Sequence, residues 1–406
     1  MTRDQINFFF LNLGHFFDHF CILIFATVAA LRLTTEWNMT YAELIPYATP
    51  AFVAFGVCAI PAGWLADKWS REGMMTIFFI GIGGSTILTA LATTPLQIGA
   101  GLFGIGVFAA IYHPVGLAMV VHGRNKTGMR IAINGVFGNM GVACAALLTG
   151  YLIDTAGWQA AFVVPGAVSI GLGIAYGLFV HNGRAHRAAE VASGAAAQKA
   201  AAGTLAIDRS LLIRTFAIIF FSTAIGGLIF QSTTFSLPKV FAERLTDIAG
   251  TATLVGSYAF LVFALAAFAQ LVVGYLVDNH SVRTVFAFVA ALQAVFFVVM
   301  IQLTGVFALV ISVAFMLVVF GQIPINDVLV GRIARSEWRA RAFSFRYIIT
   351  FSVSATAVPL IAWIHAHWGF SVLFGVMAVA ATLILAAVLL LPRTAVVTGK
   401  APAAAE

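Results

Sequence analysis

Apolar segments long enough to cross a lipid bilayer recur from one end of this 406-residue chain to the other. A helix needs about 20 mostly apolar residues to span the hydrocarbon core. Hydrophobic residues make up 61% of the chain and charged residues only 9%, which excludes a soluble globular protein. The sequence therefore predicts an all-α membrane protein with twelve transmembrane helices, at 5–31, 41–66, 73–93, 96–121, 129–153, 158–180, 211–236, 249–276, 283–303, 305–330, 342–364 and 369–391.

The distribution of lysine and arginine predicts the orientation of these helices. Basic residues collect in alternate loops, as expected for loops on the cytoplasmic side. With the N-terminus inside, only Arg32, Lys239 and Arg244 fall on the outer side. The net charge of +7 is explained by this bias, and no basic stripe interleaved with aromatic residues indicates a nucleic-acid partner. We expect a multi-pass protein of the inner membrane with both termini in the cytoplasm.

Neither the first apolar segment nor the cysteines indicate a secreted protein. The first apolar segment is long enough to span the bilayer and lacks a small-residue cleavage site, which favours a retained first helix over a signal peptide. The three cysteines, Cys21, Cys58 and Cys144, lie within apolar segments at spacings that fit neither a zinc site nor a disulfide framework. They are expected to be packing residues.

One long hydrophilic interval divides the chain, and a short pattern repeats on either side of it. GWLADKWSR (Gly63 to Arg71) returns as GYLVDNHSVR (Gly274 to Arg283), with both the glycine and the aspartate offset by 211 residues. The repeat predicts two pseudo-symmetric six-helix bundles arranged as parallel copies. The predicted units are a first bundle at 1–180, a linker at 181–209, a second bundle at 210–393 and a tail at 394–406.

The stretch from Gly63 to Arg71 resembles the GxLAD(K/R)xxR signature between helices 2 and 3 of the major facilitator superfamily, with Ser70 in place of the usual second glycine. The resemblance implies a solute site between the two halves near the midplane. It also implies a cytoplasmic latch that breaks during transport, whereas the alternative is a solvated loop with a helix-capping aspartate. The predicted cytoplasmic gate comprises Gly63, Asp67, Arg71, Asp278, Arg283 and Asp327.

The first predicted helix carries ionisable residues near the middle of the membrane, where burying them costs the most free energy. In LGHFFDHF, His15, Asp18 and His19 are spaced i, i+3 and i+4, so they share one helix face with Asn12. At about 1.5 Å per residue, Asp18 lies roughly 18 Å from the cytoplasmic end of the helix, near the middle of the membrane. Ionisable residues at such depth indicate a functional site.

A second unusual insertion, IYHPVG, interrupts the fourth predicted helix. Pro114 removes a backbone hydrogen bond, and such a break can turn His113 toward a cavity. The alternative is a packing kink in which a backbone carbonyl satisfies the histidine. The presence of two intramembrane histidine sites favours the functional interpretation.

The motifs GHFFDH and YHP, together with the glycine-rich NGVFGNMGVACAALLTG from Asn134 to Gly150, resemble the fosmidomycin-resistance-like branch of the superfamily. The resemblance implies proton-driven export of small molecules, with His15 and His113 as the positions carried over. This chain departs from the branch at Asp18-His19, where the pattern has Asn-Asp. It also has Ala100 about where many drug/proton antiporters place a buried arginine.

The second half contributes fewer polar residues. Asp327 and Arg346 lie at similar distances from the loop between helices 10 and 11, so they are predicted to pair, either as a structural ion pair at the gate or as part of a substrate clamp. Arg346 also lies 212 residues after Asn134, its counterpart in the repeat. The possible substrate-binding residues are Asn134, Gln231, Gln270, Gln322, Asn326 and Arg346, some of which helix-packing polarity explains equally well.

These patterns predict a proton-coupled antiporter that exports a small organic molecule, works as a monomer and needs no cofactor, with coupling at His15, Asp18, His19 and His113. One alternative is a symporter or facilitator that imports an anionic metabolite toward Arg346. Another is a divalent-metal transporter that uses the same histidines and aspartate as ligands. An enzyme is not expected, because no nucleotide-binding loop or nucleophile elbow occurs.

Overall fold

The fold is described here from a computed structural model that covers residues 1–122, 128–183, 209–333 and 339–391. All regular structure in these ranges is helical. Eleven helices in the described chain are long and apolar enough to cross a membrane. They are α1 (Arg3–Glu36), α2 (Tyr41–Lys68), α3 (Arg71–Thr89), α4 (Pro95–Val121), α5 (Gly128–Ala156), α6 (Trp158–Asn182), α7 (Arg209–Arg244), α8 (Ala252–Asn279), α9 (Val282–Met300), α10 (Gly305–Ile333) and α11 (Arg339–Leu389).

Helix α11 takes the place of the two helices that the sequence predicts at 342–364 and 369–391. It has 51 residues, so a straight helix would be about 76 Å long, more than twice the roughly 30 Å of a hydrocarbon core. The backbone leaves helical geometry at Gly369, where φ is 70° and ψ is −171°. A residue with a side chain rarely adopts this conformation, which explains the glycine at the break.

Helix α1 is longer at both ends than the predicted segment 5–31. At its start, the hydroxyl of Thr2 accepts a hydrogen bond from the backbone of Gln5, and the Gln5 side chain accepts one from the backbone of Thr2. This reciprocal cap satisfies donors that a helix start leaves open. At the other end, a π-helical turn at Ala29–Leu33 continues the helix, and Arg32 pairs with Glu36 at 3.0 Å.

The helices pack as two groups joined along a few seams. In the first group α1 packs on α5, α3 on α6 and α4, and α2 on α4; in the second, α7 and α9 pack on α11, and α8 on α10. The groups meet mainly where α5 lies against α8, and also where α2 meets α11 and α1 meets α7. Most of the predicted linker (184–208) and the predicted tail (394–406) lie outside the described residues.

The seam between α5 and α8 brings two helix backbones into direct contact. A Cβ atom added to Gly150 would lie 2.3 Å from the carbonyl oxygen of Ala252, and one added to Gly256 would lie 2.3 Å from that of Ala146. Small residues allow this approach in membranes, where close packing rather than hydrophobic burial holds helices together. We call the end of the molecule that carries Asp154 the outer end and the end that carries Asp67 the inner end.

The three cations that the sequence places on the outer side all have local partners. Arg244 is 9% exposed and donates hydrogen bonds to the carbonyls of Met300 and Ile301, at the end of α9, and to the hydroxyl of Ser371. A cation is favoured there because the last carbonyls of a helix carry partial negative charge. The other two are paired within their own helices, Arg32 with Glu36 and Lys239 with Glu243.

Replacing Gly256 with alanine is expected to lower the stability of the protein by about 1–3 kcal/mol, because the new methyl group collides with a backbone oxygen that cannot move alone. Gly274→Ala, in the same helix, is the matched control, since no atom lies within 4 Å of its Cβ position. Thermal unfolding in detergent, followed by tryptophan fluorescence, measures both. Equal midpoints for the two variants would contradict the close contact.

Candidate functional site

Three histidines and an aspartate meet inside the first group of helices. The ring centroids of His15 and His19 on α1 lie 5.0 Å apart, and those of His113 on α4 lie 5.4 Å and 5.6 Å from them. Asp18 is 1% exposed and completes the group. We call these four residues the histidine cluster. The two motifs that the sequence analysis singled out on separate helices therefore form one site.

The local backbone explains how His113 reaches the cluster. Residues Tyr112–Gly116 form a π-helical turn that contains Pro114, and such turns are frequent at functional sites. The motif glycine of α2, Gly63, packs against this turn, since its Cβ position lies 3.3 Å from the Cβ of Pro114. The glycine predicted for the gate thus also leaves space for the proline break in α4.

His15 is held by a buried network that extends to α5. Its Nδ1 lies 2.8 Å from the carbonyl oxygen of Asn134. The Asn134 amide donates hydrogen bonds to the side-chain oxygen of Asn12 at 3.0 Å and to the hydroxyl of Tyr112 at 2.8 Å. That hydroxyl also lies 2.8 Å from the carbonyl of Leu11, to which it donates. Asn134, predicted as a substrate residue, therefore belongs to the hydrogen-bond network that holds His15.

Asp18 has an unusual environment for a carboxylate. Its Oδ2 lies 3.4 Å from Nε2 of His113, a long distance for a hydrogen bond. Neither carboxylate oxygen accepts a hydrogen bond from the described residues. A buried carboxylate is expensive unless it is protonated or paired with a cation. The pair is therefore suited to hold a proton that either group can carry.

The three imidazoles also meet a geometric requirement for a metal site. One ring nitrogen from each of His15, His19 and His113 can be chosen so that all three lie within 4.8 Å of one another. A bound ion would need them closer, at about 2.0–2.1 Å from a common centre. Binding of one ion by all three imidazoles would therefore require the rings to move closer together.

The second group of helices brings a cation toward the cluster. Arg346 is 7% exposed, forms an ion pair with Asp327 of α10, and lies close enough to His113 for its charge to act on that ring. The Asp327 side chain is 38% exposed. The predicted partner of Arg346 is thus present, and the arginine lies within electrostatic range of the histidine cluster.

The neutral polar residues predicted for the second group of helices differ in their hydrogen-bond partners. The side chain of Gln322 accepts a hydrogen bond from Gln293 at 2.7 Å, and that of Asn326 accepts one from Ser222 at 3.2 Å. These bonds join α10 to α9 and α7, whereas the buried amide nitrogen of Gln322 has no hydrogen-bond partner among the described residues. Gln270 approaches the Cβ position of Gly135 on α5 to 3.3 Å. The buried amide nitrogen of Gln231 has no hydrogen-bond partner among the described residues.

The two copies of the loop motif have different environments. Asp67 pairs with Arg71 at 2.8 Å at the inner end, where the Asp67 side chain is 68% exposed. In the second copy, Arg283 donates a hydrogen bond to the carbonyl of Leu389 at the end of α11. Gly274 has open space at its Cβ position, whereas Gly63 packs against α4. The aspartate of the second copy, Asp278, lies one residue before the end of α8.

The two groups of helices are joined directly at the outer end. The carboxylate of Asp154 on α5 accepts hydrogen bonds from the backbone nitrogen and the hydroxyl of Thr253, at 2.7 Å and 2.5 Å. Thr253 is the second residue of α8, where an anion is stabilised by the helix N-terminus. Aromatic contacts lie nearby, with the ring of Tyr41 5.3 Å from His365 and that of Phe52 6.1 Å from Phe235.

The sequence matches the family description "Major Facilitator Superfamily" over residues 8–246 and again over 240–406. The protein belongs to this superfamily of transporters. Solved structures support the same fold: a bacterial homolog of the human lysosomal transporter Spinster, in an inward-facing conformation, matches with a TM-score of 0.67 at 13% identity, over 96% of this chain and 95% of that one. A D-xylose-proton symporter matches with a TM-score of 0.68 at 14% identity, over 93% and 96%.

Curated relatives are transporters of small organic molecules. A 4-hydroxybenzoate transporter of Pseudomonas aeruginosa is 24% identical over 54% of this chain and 52% of its own length. A probable sulfoacetate transporter of Cupriavidus necator is 25% identical over 38% and 36%, and a gallate transporter of Pseudomonas putida is 26% identical over 38% and 35%. The matched part of this chain spans between about a third and a half of these relatives.

A cross-link between α5 and α8 is expected to stop transport, because a transporter that rocks its two halves must separate them at the outer end. In a background without Cys21, Cys58 and Cys144, the changes Asp154→Cys and Thr253→Cys are combined and oxidised. Solute exchange in proteoliposomes should fall to less than about a tenth and return on reduction. The two single-cysteine variants are the controls, and full activity of the oxidised double variant would exclude separation at this contact.

Proposed function

We propose that the protein is a proton-coupled symporter of small organic anions, with protons carried by the histidine cluster. The observation that carries this proposal is the Asp18 carboxylate, buried beside His113 and without a hydrogen bond from the described residues. Such a group is most stable when a proton is present on it or on the adjacent imidazole. The site therefore favours a proton as one of the transported species.

The balance of charges supports symport of an anion. Arg346 and Asp327 neutralise each other, so with neutral imidazoles the ionised Asp18 leaves the centre with one net negative charge. An organic anion would be repelled by that charge. Protonation of Asp18 removes it, and protonation of a histidine adds a positive charge, so proton binding and anion binding support each other. Arg346 then offers the anion the hydrogen-bond donors of its guanidinium, in competition with Asp327.

The relatives support the anionic class of substrate. Sulfoacetate, 4-hydroxybenzoate and gallate, named for the transporters above, are all small molecules that carry a carboxylate or sulfonate near neutral pH. We extend this class to the present chain because Arg346 offers such a group a planar guanidinium. The motifs GHFFDH and YHP support placement in the fosmidomycin-resistance-like branch, whose inferred export direction is tested below.

The proposed function includes the topology that the sequence predicts. We propose twelve crossings, with α11 crossing twice on either side of Gly369, and both termini in the cytoplasm. The inner end then faces the cytoplasm of a bacterial inner membrane, and residues Gly63 to Arg71 with Asp278, Arg283 and Asp327 form the gate there. The protein works as a monomer by alternating access and performs transport rather than catalysis.

The coupling role is tested in proteoliposomes with an acidic exterior and radiolabelled 4-hydroxybenzoate. With one proton per anion, a gradient of about one pH unit should drive about tenfold accumulation. Asp18→Asn and His15→Ala should abolish the accumulation, and Asp18→Asn should still exchange labelled for unlabelled solute. Asp247→Asn, at an exposed turn after α7, is the control. Unchanged pH dependence in Asp18→Asn would reject the coupling role.

The same vesicles separate the three hypotheses. An exporting antiporter, which the sequence favours, would expel preloaded solute when the exterior is acidic. A symporter would accumulate the solute under the same gradient. A metal transporter would retain metal through purification, so metal analysis of the purified protein and of its His113→Ala variant tests that hypothesis.

Arg346→Gln is expected to raise the KM for the anion by at least about tenfold, because a charge-assisted hydrogen bond is lost and Asp327 is left without its cation. Arg214→Gln is the matched control, since this arginine lies in the same group of helices and donates to the carbonyl of Leu390 at its inner end. Uptake measured over a range of anion concentrations gives both constants. Equal KM values in the two variants would exclude Arg346 from anion binding.

A further inference from the structure

We infer that Tyr112, with Asn12 and Asn134, positions His15 in the single neutral tautomer that leaves its Nε2 open to the rest of the histidine cluster. This inference rests on the proposed function, because it assigns a role in proton coupling. Tyr112 is a positioning residue, since it acts through His15 rather than by carrying the transported proton. We call Asn12, Tyr112 and Asn134 the clamp.

The tautomer follows from the partner of Nδ1. The atom 2.8 Å from Nδ1 of His15 is a backbone carbonyl oxygen, that of Asn134. A carbonyl oxygen only accepts hydrogen bonds, so Nδ1 must carry the hydrogen. In a neutral imidazole the other nitrogen, Nε2, then holds the lone pair. Nε2 is therefore the position at which His15 can receive a proton.

The clamp fixes both the carbonyl and the ring. The Asn134 side chain is completely buried and is bound by Asn12 and Tyr112 on two other helices, which holds the start of α5 against α1 and α4. The ring of Tyr112 stacks on that of His15, with centroids 4.8 Å apart and an angle of 18° between the planes. The imidazole is thus restrained at its edge by a hydrogen bond and on its face by an aromatic ring.

Glycines shape the space on both sides of this stack. A Cβ atom on Gly138 of α5 would lie 2.6 Å from Nε2 of His15, so a larger residue would displace the nitrogen that must stay open. On the other side, Cβ atoms on Gly14 and Gly116 would lie 2.9 Å and 2.7 Å from the ring of Tyr112. The ring of Tyr112 therefore fits between α1 and its own helix only because both positions are glycine.

The groups that surround His15 support a role in proton transfer rather than packing alone. Such groups come from the helices that surround His15, and Arg346 of α11 acts on the cluster through His113. The titratable, charged and hydrogen-bonding groups are Asp18 and His19 on α1, Tyr112 and His113 on α4, Asn134 on α5, and Arg346 on α11. In this inference, Nε2 of His15 exchanges protons with the imidazole of His19 and with the Asp18–His113 pair.

Tyr112→Phe tests the clamp with the smallest possible change, since it removes one hydroxyl and keeps the stacked ring. Tyr176→Phe is the matched control. Tyr176 is also completely buried in the first group of helices, and its hydroxyl donates a hydrogen bond to the side chain of Asn7 at 3.1 Å. Its ring packs against those of Phe10, Phe79 and Phe179, whereas the ring of Tyr112 stacks on His15.

Two measurements are made on each variant. The first is gradient-driven uptake of 4-hydroxybenzoate, for which Tyr112→Phe should lower the maximal rate by about tenfold or more and change the KM by less than about twofold. The second is the ¹⁵N NMR spectrum of histidine-labelled protein, with the His15 signals assigned by difference from His15→Gln. The wild type and Tyr176→Phe should show His15 as the Nδ1–H tautomer alone, and Tyr112→Phe should also show the Nε2–H tautomer.

A second pair of variants distinguishes displacement of Nε2 from a general loss of folding. Gly138→Ala should give the same loss of coupled uptake by displacing Nε2, whereas Gly171→Ala, which has no atom within 4 Å of its Cβ position, should not. The inference is overturned if Tyr112→Phe and Tyr176→Phe have the same spectra, or if Tyr112→Phe retains the wild-type rate. Absence of proton coupling in the wild type would instead overturn the proposed function, while the spectra would still test the clamp.

Discussion

The contact between Asp18 and His113 is the constraint on which the central region depends. A carboxylate with 1% exposure and no hydrogen bond from the described residues is tolerated only if a proton or a cation accompanies it. The neighbouring structure provides for this through the π turn that turns His113 inward and the glycine of α2 that accommodates Pro114. Under the proposed function, the local loss of stability is the consequence of holding a proton that can move between Asp18 and His113.

The cluster itself could be predicted from sequence because it depends on periodicity and on helix breaks. The i, i+3, i+4 spacing places His15, Asp18 and His19 on one face of any helix, and a proline marks the irregular turn beside His113. The clamp could not be predicted in the same way. Tyr112 is a common core residue by type, and its role depends on how α1, α4 and α5 are packed against each other. The sequence gives one indication of this role, which is that Tyr112 directly precedes His113.

The fold was predictable to the extent that it follows from hydrophobic length, and the repeat was informative about location but not about contacts. Gly63 and Gly274 occupy equivalent positions in the two copies, yet one packs against Pro114 and the other has open space around it. Arg71 pairs with the aspartate of its own motif, whereas Arg283 binds the end of α11. Local sequence similarity places both segments at the junction of two consecutive helices, but their partners on other helices differ between the halves.

The asymmetry between the halves has a physical consequence for coupling. The first group of helices holds the groups that change charge, and the second holds Arg346, whose charge is fixed at any physiological pH. Under the proposed function, a proton added to the cluster would change the electrostatic interaction between the two halves as well as the affinity for an anion. Under the proposed function, an anion bound beside Arg346 and a protonated cluster would interact with both halves, and its release with the proton would remove that interaction. Movement of the halves and binding of both solutes would thus be governed by one set of charges, without a mechanical link between distant sites.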